Sequence, residues 1–343
     1  MWIGLFKAVG DINLLFECFP PIVILTFGNI MFFNFIINAN ELKMLLEKIE
    51  KDWIIWSTEP EFRILKNYAE AGKKFRVAYF VTLMGVLACF MAVPGLPQFL
   101  NWVRPLNDSR PKEYIYYTEY GIDVEEYYIP IFLHSYFFSF INFILLLNGD
   151  MMFMACTQHV CGVLAAMGFK LKNLINENLS MERDNNYQTK IDNKIIFCIK
   201  QHQELIVFLE NMHKCFSFVF LATVLFNMLI ISVTGVQTVM NLEHPEVAFR
   251  FASSTVGQMF HLFFLTIPCQ QMIDLSLNIS DSVYTSNWYI LPSRSRKLLL
   301  MLMRRSSEPF EFIVAKLYTY SMQNFGVVIK TSISYFTVLV SLQ

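Results

Sequence analysis

The stretch Leu205–Val233 reads LIVFLENMHKCFSFVFLATVLFNMLIISV, and it decides the class of fold. From Cys215 to Val233 it contains no Asp, Glu, Lys or Arg. A helix needs ~20 mostly apolar residues to cross the hydrocarbon core of a bilayer, where no water can satisfy a bare backbone. The stretch therefore predicts a transmembrane helix.

Five other stretches have the same character, so the sequence predicts six spans. They lie at about 12–39, 77–100, 127–148, 205–233, 245–268 and 310–340. The composition agrees, because 55% of the residues are hydrophobic and 16% are charged, whereas soluble domains carry roughly 25% charged residues. The sequence predicts an all-α, polytopic membrane helix bundle that forms a single domain over residues 1–343.

Lys and Arg are concentrated in alternate connections between the spans. The rich connections are 41–76, 170–203 and 271–309. Basic connections stay on the cytosolic side of a membrane, so these three segments are predicted to be cytosolic and the C-terminus to lie outside. The sequon at Asn107 then falls on an outer connection, where glycosylation is expected. Helical patterning continues over Ile191–Phe208, so we expect the cytosolic segments to be helical.

Several classes of function are excluded by what the chain lacks. A net charge of −1 provides no basic face for nucleic acid. The sequence contains no phosphate-binding glycine loop, nucleophile elbow or zinc-protease motif, so it predicts no enzyme, no cofactor and no metal site. We find no buried acid–base pair in the predicted spans. His134 and His261 lie within spans, where a neutral, hydrogen-bonded histidine is the expected state.

One face of the last span mixes small hydroxyls with apolar residues. At 100° per residue this face holds Thr331, Ser334, Val338, Ser341 and Leu342. Such a stripe can line a pore, in which Val338 and Leu342 form an apolar gate. It can also be a seam against a neighbouring helix, because small polar residues let backbones approach. The residues alone favour the seam.

The C-terminal run changes that balance. Lys330-Thr-Ser-Ile-Ser-Tyr-Phe-Thr-Val-Leu339, with Pro309, Ser321 and Phe325 before it, resembles the C-terminal signature of insect odorant receptors. That signature reads approximately P…L-S-L-x-T-F…L-K-x-S-Y-S-Y-F-x-V-L. Segments 10–53 and 69–76 also resemble the family, particularly its members from bees, ants and wasps.

The resemblance implies a seven-helix fold with the C-terminus outside and the cytosolic helix ends packed as an anchor domain. This chain provides six of the seven helices, so the first helix is expected to be lacking, with Met1–Val9 as the stub of its outer end. The family forms ligand-gated, non-selective cation channels, in which a tuning subunit and a shared coreceptor assemble as a heterotetramer. The chain lacks the long cytosolic insertion of the coreceptor, so it resembles a tuning subunit in the plasma membrane of a sensory-neuron dendrite.

The resemblance also implies a pocket for a small volatile ligand in the outer half of the bundle, with a mostly apolar wall. Mapped by depth, the candidate ligand-binding residues are Phe16, Phe19, Cys89, Val93, His134, Phe137, Phe251 and Ser254. On the same basis the last helix lines the pore, with Thr331 and Ser334 on the pore face. Val338 and Leu342 match the apolar gate positions, and Ser341 lies between them.

Three other classes of membrane protein fit the sequence less well than an odorant receptor. A gustatory receptor of the same superfamily has a T-Y…Q-F type signature, which Tyr318 and Gln323 match only out of register. A G-protein-coupled receptor has a cytosolic C-terminus and a short first inner loop, unlike the long basic connection 41–76 predicted here. A transporter would show paired repeats and broken helices at mid-membrane, and the sequence shows neither.

Overall fold

The computed structural model describes residues 12–103, 114–116, 120–123, 126–174 and 185–341. The helices in these residues are α1 (Ile12–Ile37), α2 (Ala39–Ile55), α3 (Glu61–Val103), α4 (Tyr128–Lys172), α5 (Asn185–Met240), α6 (Pro245–Tyr284), α7 (Ser293–Ser306) and α8 (Met322–Ser341). A 3₁₀ turn covers Trp288–Ile290, and an antiparallel hairpin pairs β1 (Ile313–Val314) with β2 (Tyr318–Thr319).

Within the described residues, six helices are long and apolar enough to cross a membrane, namely α1, α3, α4, α5, α6 and α8. This confirms the predicted polytopic helical fold. Helices α3 to α6 contain 43, 45, 56 and 40 residues, which is roughly 60–85 Å at 1.5 Å per residue. A hydrocarbon core is only ~30 Å thick, so each of these helices extends well beyond it. The predicted helical patterning of Ile191–Phe208 is confirmed, because it lies inside α5.

The last helix begins later than predicted. The sequence placed the final span at 310–340, but α8 begins at Met322 and the residues before it form the hairpin. Its turn holds Ala315 and Lys316 in the left-handed region, with φ of 49° and 59°. The hairpin carries apolar side chains because it packs into the core, and hydropathy alone does not separate such residues from a span.

The hairpin packs against α4 and α5 through a buried aromatic cluster. The Phe153 ring centroid lies 4.3 Å from that of Phe220 and 4.7 Å from that of Phe312. The Tyr320 hydroxyl donates a hydrogen bond to the Phe220 carbonyl at 3.0 Å. The start of α8 is therefore held by packing against the long helices.

A second group of contacts, made of hydrogen bonds and ion pairs, joins α2, α4 and α5 around the buried carboxylate of Asp52. The His159 Nε2 lies 2.9 Å from its Oδ2, and Lys48 donates to its Oδ1. Lys48 also lies 2.5 Å from Glu204. Burial alone would lower the pKa of Lys48, but its hydrogen bonds to Asp52 and Glu204 raise that pKa above the ordinary value. Lys48 therefore stays charged and bridges the helices.

Helix α1 crosses α4 at two glycines. A Cβ atom on Gly28 would lie 2.9 Å from Oδ1 and 3.1 Å from the carbonyl oxygen of Asn142. A Cβ atom on Gly149 would lie 2.5 Å from the sulfur of Met31. Because the Gly28 contact includes backbone, it cannot relax by turning one side chain, and the two helices approach closely only with glycine there.

We predict that Gly28→Ala separates α1 from α4 and destabilises the protein by about 1–3 kcal/mol, the usual cost of overpacking. The matched control is Gly85→Ala, where an added Cβ meets nothing within 4 Å. The measurement is the temperature at which purified protein loses its monodisperse peak on size-exclusion chromatography. Equal melting temperatures for the two variants would contradict the close crossing.

Candidate functional site

The first of two adjoining cavities lies between α1, α3, α4 and α6. We call it the loop-side cavity, because Ile115 and Tyr116 of the connection between α3 and α4 close one end. Its volume is about 80 Å³, and most of its wall is apolar. Pro20 and Pro21 of α1 also contribute to the wall. A small apolar cavity inside a bundle is the usual setting for a small-molecule site.

The second cavity, which we call the deep cavity, lies farther from that connection and also touches α5. Its volume is about 50 Å³. The two cavities share four wall residues, which are Ile24, Val86, Phe143 and Gln258. The deep cavity adds the polar side chains Thr223, Asn227 and His261. The pair is therefore apolar at the loop side and more polar at depth.

The roof of the loop-side cavity is held by two buried side chains. The Arg250 guanidinium donates to the Ile115 carbonyl and lies 4.6 Å from the Phe90 ring centroid. The Tyr116 hydroxyl donates to the Ser135 carbonyl at 3.3 Å. Burial raises the pKa of Tyr116, so this hydroxyl is protonated at neutral pH and keeps its hydrogen bond. The connection is thereby attached to α4 and α6.

A buried carboxylate lies at the floor. Asp150 is 0% exposed, and its Oδ2 accepts hydrogen bonds from the Tyr79 hydroxyl at 2.6 Å and from His261 Nε2 at 3.0 Å. The other ring nitrogen of His261 lies 3.3 Å from the Asn227 amide nitrogen. This network joins α3, α4, α5 and α6 below the cavities.

The prediction that the spans hold no buried acid–base pair was wrong. The predicted span ended at residue 148, two positions before Asp150, whereas α4 continues to Lys172. Mean hydropathy falls where a window includes an acidic residue, so the predicted span ended before Asp150. In the folded chain, Tyr79 and His261 bond this residue, and the helix continues past it. The expectation of a hydrogen-bonded, buried His261 is confirmed.

The predicted pocket residues differ in where their side chains lie. Ser254 lines the loop-side cavity. Val93 and Phe251 are buried and line neither cavity, Phe19 is half-buried, and Cys89, His134 and Phe137 are exposed, Phe137 by 66%. The structure describes the backbone of Phe16 within α1 but not its side chain, and the glycosylation candidate Asn107 falls outside the described residues. Depth gives the position along a helix axis but not the rotation about it, so the prediction named residues that lie on several faces of their helices.

Sequence reasoning missed Gln258, the polar residue common to both cavities. A signal was present, because Gln258 follows Ser254 by four residues and so shares its helix face. It also missed Ile115 and Tyr116, since nothing in a connection's sequence indicates that it folds back over the bundle.

The stripe predicted on the last helix faces away from the chain's own bundle. Ser334, Val338 and Ser341 are exposed, Val338 by 51%, and Thr331 is half-buried. Leu342 lies outside the described residues. The seam with the chain's own helices uses other residues, because Ser332 is buried and its carbonyl accepts a hydrogen bond from the Ser232 hydroxyl of α5 at 3.1 Å.

Long helices of the length and composition that cross a membrane, with a pair of small cavities among them, define a polytopic membrane protein with a candidate small-molecule site inside its bundle. The family described as 7tm Odorant receptor matches residues 11–333. The chain belongs to this family, whose members are receptors rather than enzymes.

Relatives by sequence and by structure agree with this membership. The chain is 19% identical to Odorant receptor Or2 of Anopheles gambiae over 98% of its length and 87% of that protein. It is 21% identical to Odorant receptor 13a of Drosophila melanogaster over 88% of its length and 74% of that protein. The fold is similar to that of the insect olfactory receptor OR5 from Machilis hrabei in complex with eugenol, with a TM-score of 0.83, 13% identity, and coverage of 100% of this chain and 85% of that one.

We predict that Asp150→Ala destabilises the protein by about 3–5 kcal/mol, because it leaves Tyr79 and His261 buried without their acceptor. Tyr79→Phe removes only one hydrogen bond and should cost about 1 kcal/mol. Thermal melting of the purified variants measures both effects. Asp274→Ala, at an exposed position of α6, is the control and should change stability little. If Asp150→Ala has the same melting temperature as the control variant, the hydrogen-bond network around Asp150 does not stabilise the protein.

Proposed function

We propose that the chain is the odorant-binding subunit of a ligand-gated, non-selective cation channel. In this proposal it assembles with a coreceptor subunit as a heterotetramer in the plasma membrane of a sensory-neuron dendrite, with its C-terminus outside. A volatile molecule binds in the loop-side cavity, and the last helix lines the pore.

The observation that carries the proposal is a pair of small, adjoining, mostly apolar cavities with a roof over the loop-side cavity and a floor under the deep cavity. Arg250 and Tyr116 hold the roof, and Asp150 and His261 hold the floor. A volatile molecule offers few hydrogen bonds, so its binding free energy comes mainly from apolar surface removed from water. The roof removes that surface from solvent on the side where the cavity would otherwise open.

The path from the cavities to the pore helix is short. Asn227 and Ile230 of α5 line the deep cavity. Ser232, two residues farther along α5, donates to the carbonyl of Ser332 in α8. A ligand that moves α5 therefore acts on the helix that carries Val338. A ligand shifts a gate only by binding its two states with different affinities, and α5, which lines the deep cavity next to the proposed binding site, connects that cavity to α8.

The first test uses cells that express the chain together with a coreceptor subunit. Volatiles should evoke a cation current that neither subunit gives alone. Ser254→Phe adds a ring to a cavity of about 80 Å³ and should raise the half-maximal concentration roughly tenfold, which corresponds to about 1.4 kcal/mol. Val256→Phe, at an exposed position of the same helix, should leave it unchanged. Currents evoked only by water-soluble tastants, or equal effects of both variants, would refute the proposal.

The second test concerns the gate. Val338 and Leu342 are four residues apart in the sequence, the spacing of about one helical turn. A narrow apolar ring resists wetting until the helices separate. Val338→Gln should therefore raise the current that flows without ligand, by roughly twofold or more, at equal surface expression. Val340→Gln changes a position on another face of α8 and is the control. A baseline current unchanged in Val338→Gln, with normal assembly and ion selectivity, would exclude Val338 from the gate.

A further inference from the structure

The side chain of Gln258 has an unusual position in this bundle. It lies in the wall of both cavities, at their junction. The other residues at the junction are Ile24, Val86 and Phe143, all of which are apolar. Gln258 is thus the one polar residue among the four that the two cavities share.

The amide of Gln258 also differs from its polar neighbours in its hydrogen bonds. Among the described residues, no hydrogen bond joins the Gln258 side chain to another group, whereas each polar neighbour in the deep cavity has a partner. Thr223 donates to the Val219 carbonyl at 3.0 Å, and Asn227 donates to the Thr223 carbonyl at 2.7 Å. His261 is held by Asp150. Gln258 therefore keeps a donor and an acceptor available at the junction of the cavities. The Ser254 hydroxyl, in the wall of the loop-side cavity, likewise has no hydrogen-bond partner among the described residues.

The charges around the cavities restrict what can use this amide. Among the described residues, no Asp, Glu, Lys or Arg lines either cavity. A charged ligand would lose its hydration without meeting an opposite charge, which is strongly unfavourable. A primary amide can donate from Nε2 and accept at Oε1, so it can bond both a hydroxyl and a carbonyl oxygen. A pure hydrocarbon would leave it unpaired.

We propose that Gln258 makes the pocket selective for neutral volatiles that carry one hydroxyl or carbonyl oxygen on an apolar chain. This inference rests on the proposed function, since it assigns the ligand class of the same pocket. The apolar chain occupies the loop-side cavity, and the oxygen lies at the junction, bonded to the Gln258 amide. Asn227 and His261 already have hydrogen-bond partners within the protein, so they do not supply this bond.

The size of the two cavities agrees with this arrangement. The loop-side cavity is the larger, at about 80 Å³, and the deep cavity measures about 50 Å³. Gly257, next to Gln258, permits Val86 to pack at the junction, because a Cβ on Gly257 would lie 2.5 Å from Val86 Cγ1. Val86 therefore lies close against α6 beside Gln258, and a larger residue at position 257 would displace it.

The test measures binding rather than current, so it does not require an active channel. Purified protein is titrated with an alkanol, an alkanal and an alkane of equal chain length, and ligand-induced thermal stabilisation gives the affinities. The wild-type chain should bind the alkanol and the alkanal roughly tenfold or more tightly than the alkane. Gln258→Met keeps the size and removes the amide, so it should bring the three affinities together without weakening alkane binding. Gln258→Leu should do the same with a different shape.

The control is Gln323→Met, at an exposed position on α8 far from the cavities, and it should keep the wild-type preference. If both Gln258 variants keep that preference too, Gln258 does not select the ligand, while the proposed pocket stands. If the wild-type chain binds none of the three volatiles, the proposed function and this inference fail together. If the Gln258 variants lose affinity for the alkane and the alkanol equally, the cavity has collapsed in these variants. That result would also overturn the role assigned to the amide.

Discussion

The carboxylate of Asp150 is the interaction on which the interior of this receptor depends. It has no exposure to solvent, and it accepts hydrogen bonds from Tyr79 of α3 and His261 of α6. A buried polar group costs free energy unless it is hydrogen-bonded, and the two bonds to Oδ2 tie this carboxyl group to both neighbouring helices. The three helices are therefore fixed relative to one another at one level, and the cavities above that level inherit their shape from this arrangement.

The two adjoining cavities are polar at both ends of the pair, although their walls are mostly apolar. At the roof, Arg250 bonds the backbone of Ile115, and at the floor, His261 bonds Asp150. Apolar contacts are non-directional and do not by themselves fix one arrangement, whereas these hydrogen bonds set the spacing of the walls. In the proposed function, the walls held in this way select a small ligand by size, and the Gln258 amide selects it by chemistry.

The last helix shows how one element serves two surfaces. Its buried side meets α5 through Ser332, while Ser334 and Val338 face outward. Both sides contain small hydroxyl residues, so the composition of the helix does not tell them apart. Their difference follows from the hairpin before Met322, which packs on Phe153 and Phe220 and thereby sets the rotation of α8.

Hydropathy and helical patterning were sufficient to predict the class of fold. The six spans, the long helices beyond them and the absence of a catalytic motif all follow from residue type along the chain, because hydrocarbon permits only backbones that satisfy themselves. The C-terminal run from Lys330 carried the resemblance to odorant receptors, which the match over residues 11–333 shows to be correct.

The sequence by itself determined that this chain crosses a membrane as a helix bundle and belongs among odorant receptors, since those properties depend on local composition and motif. The tertiary structure alone decided which residues face the cavities. It directed Ser254 and Gln258 inward and left Phe137 exposed, and it brought Tyr79, Asp150 and His261 together from three helices. The physical reason is that the rotation of each helix is set by packing against the others, and a residue's place along the chain does not contain that information.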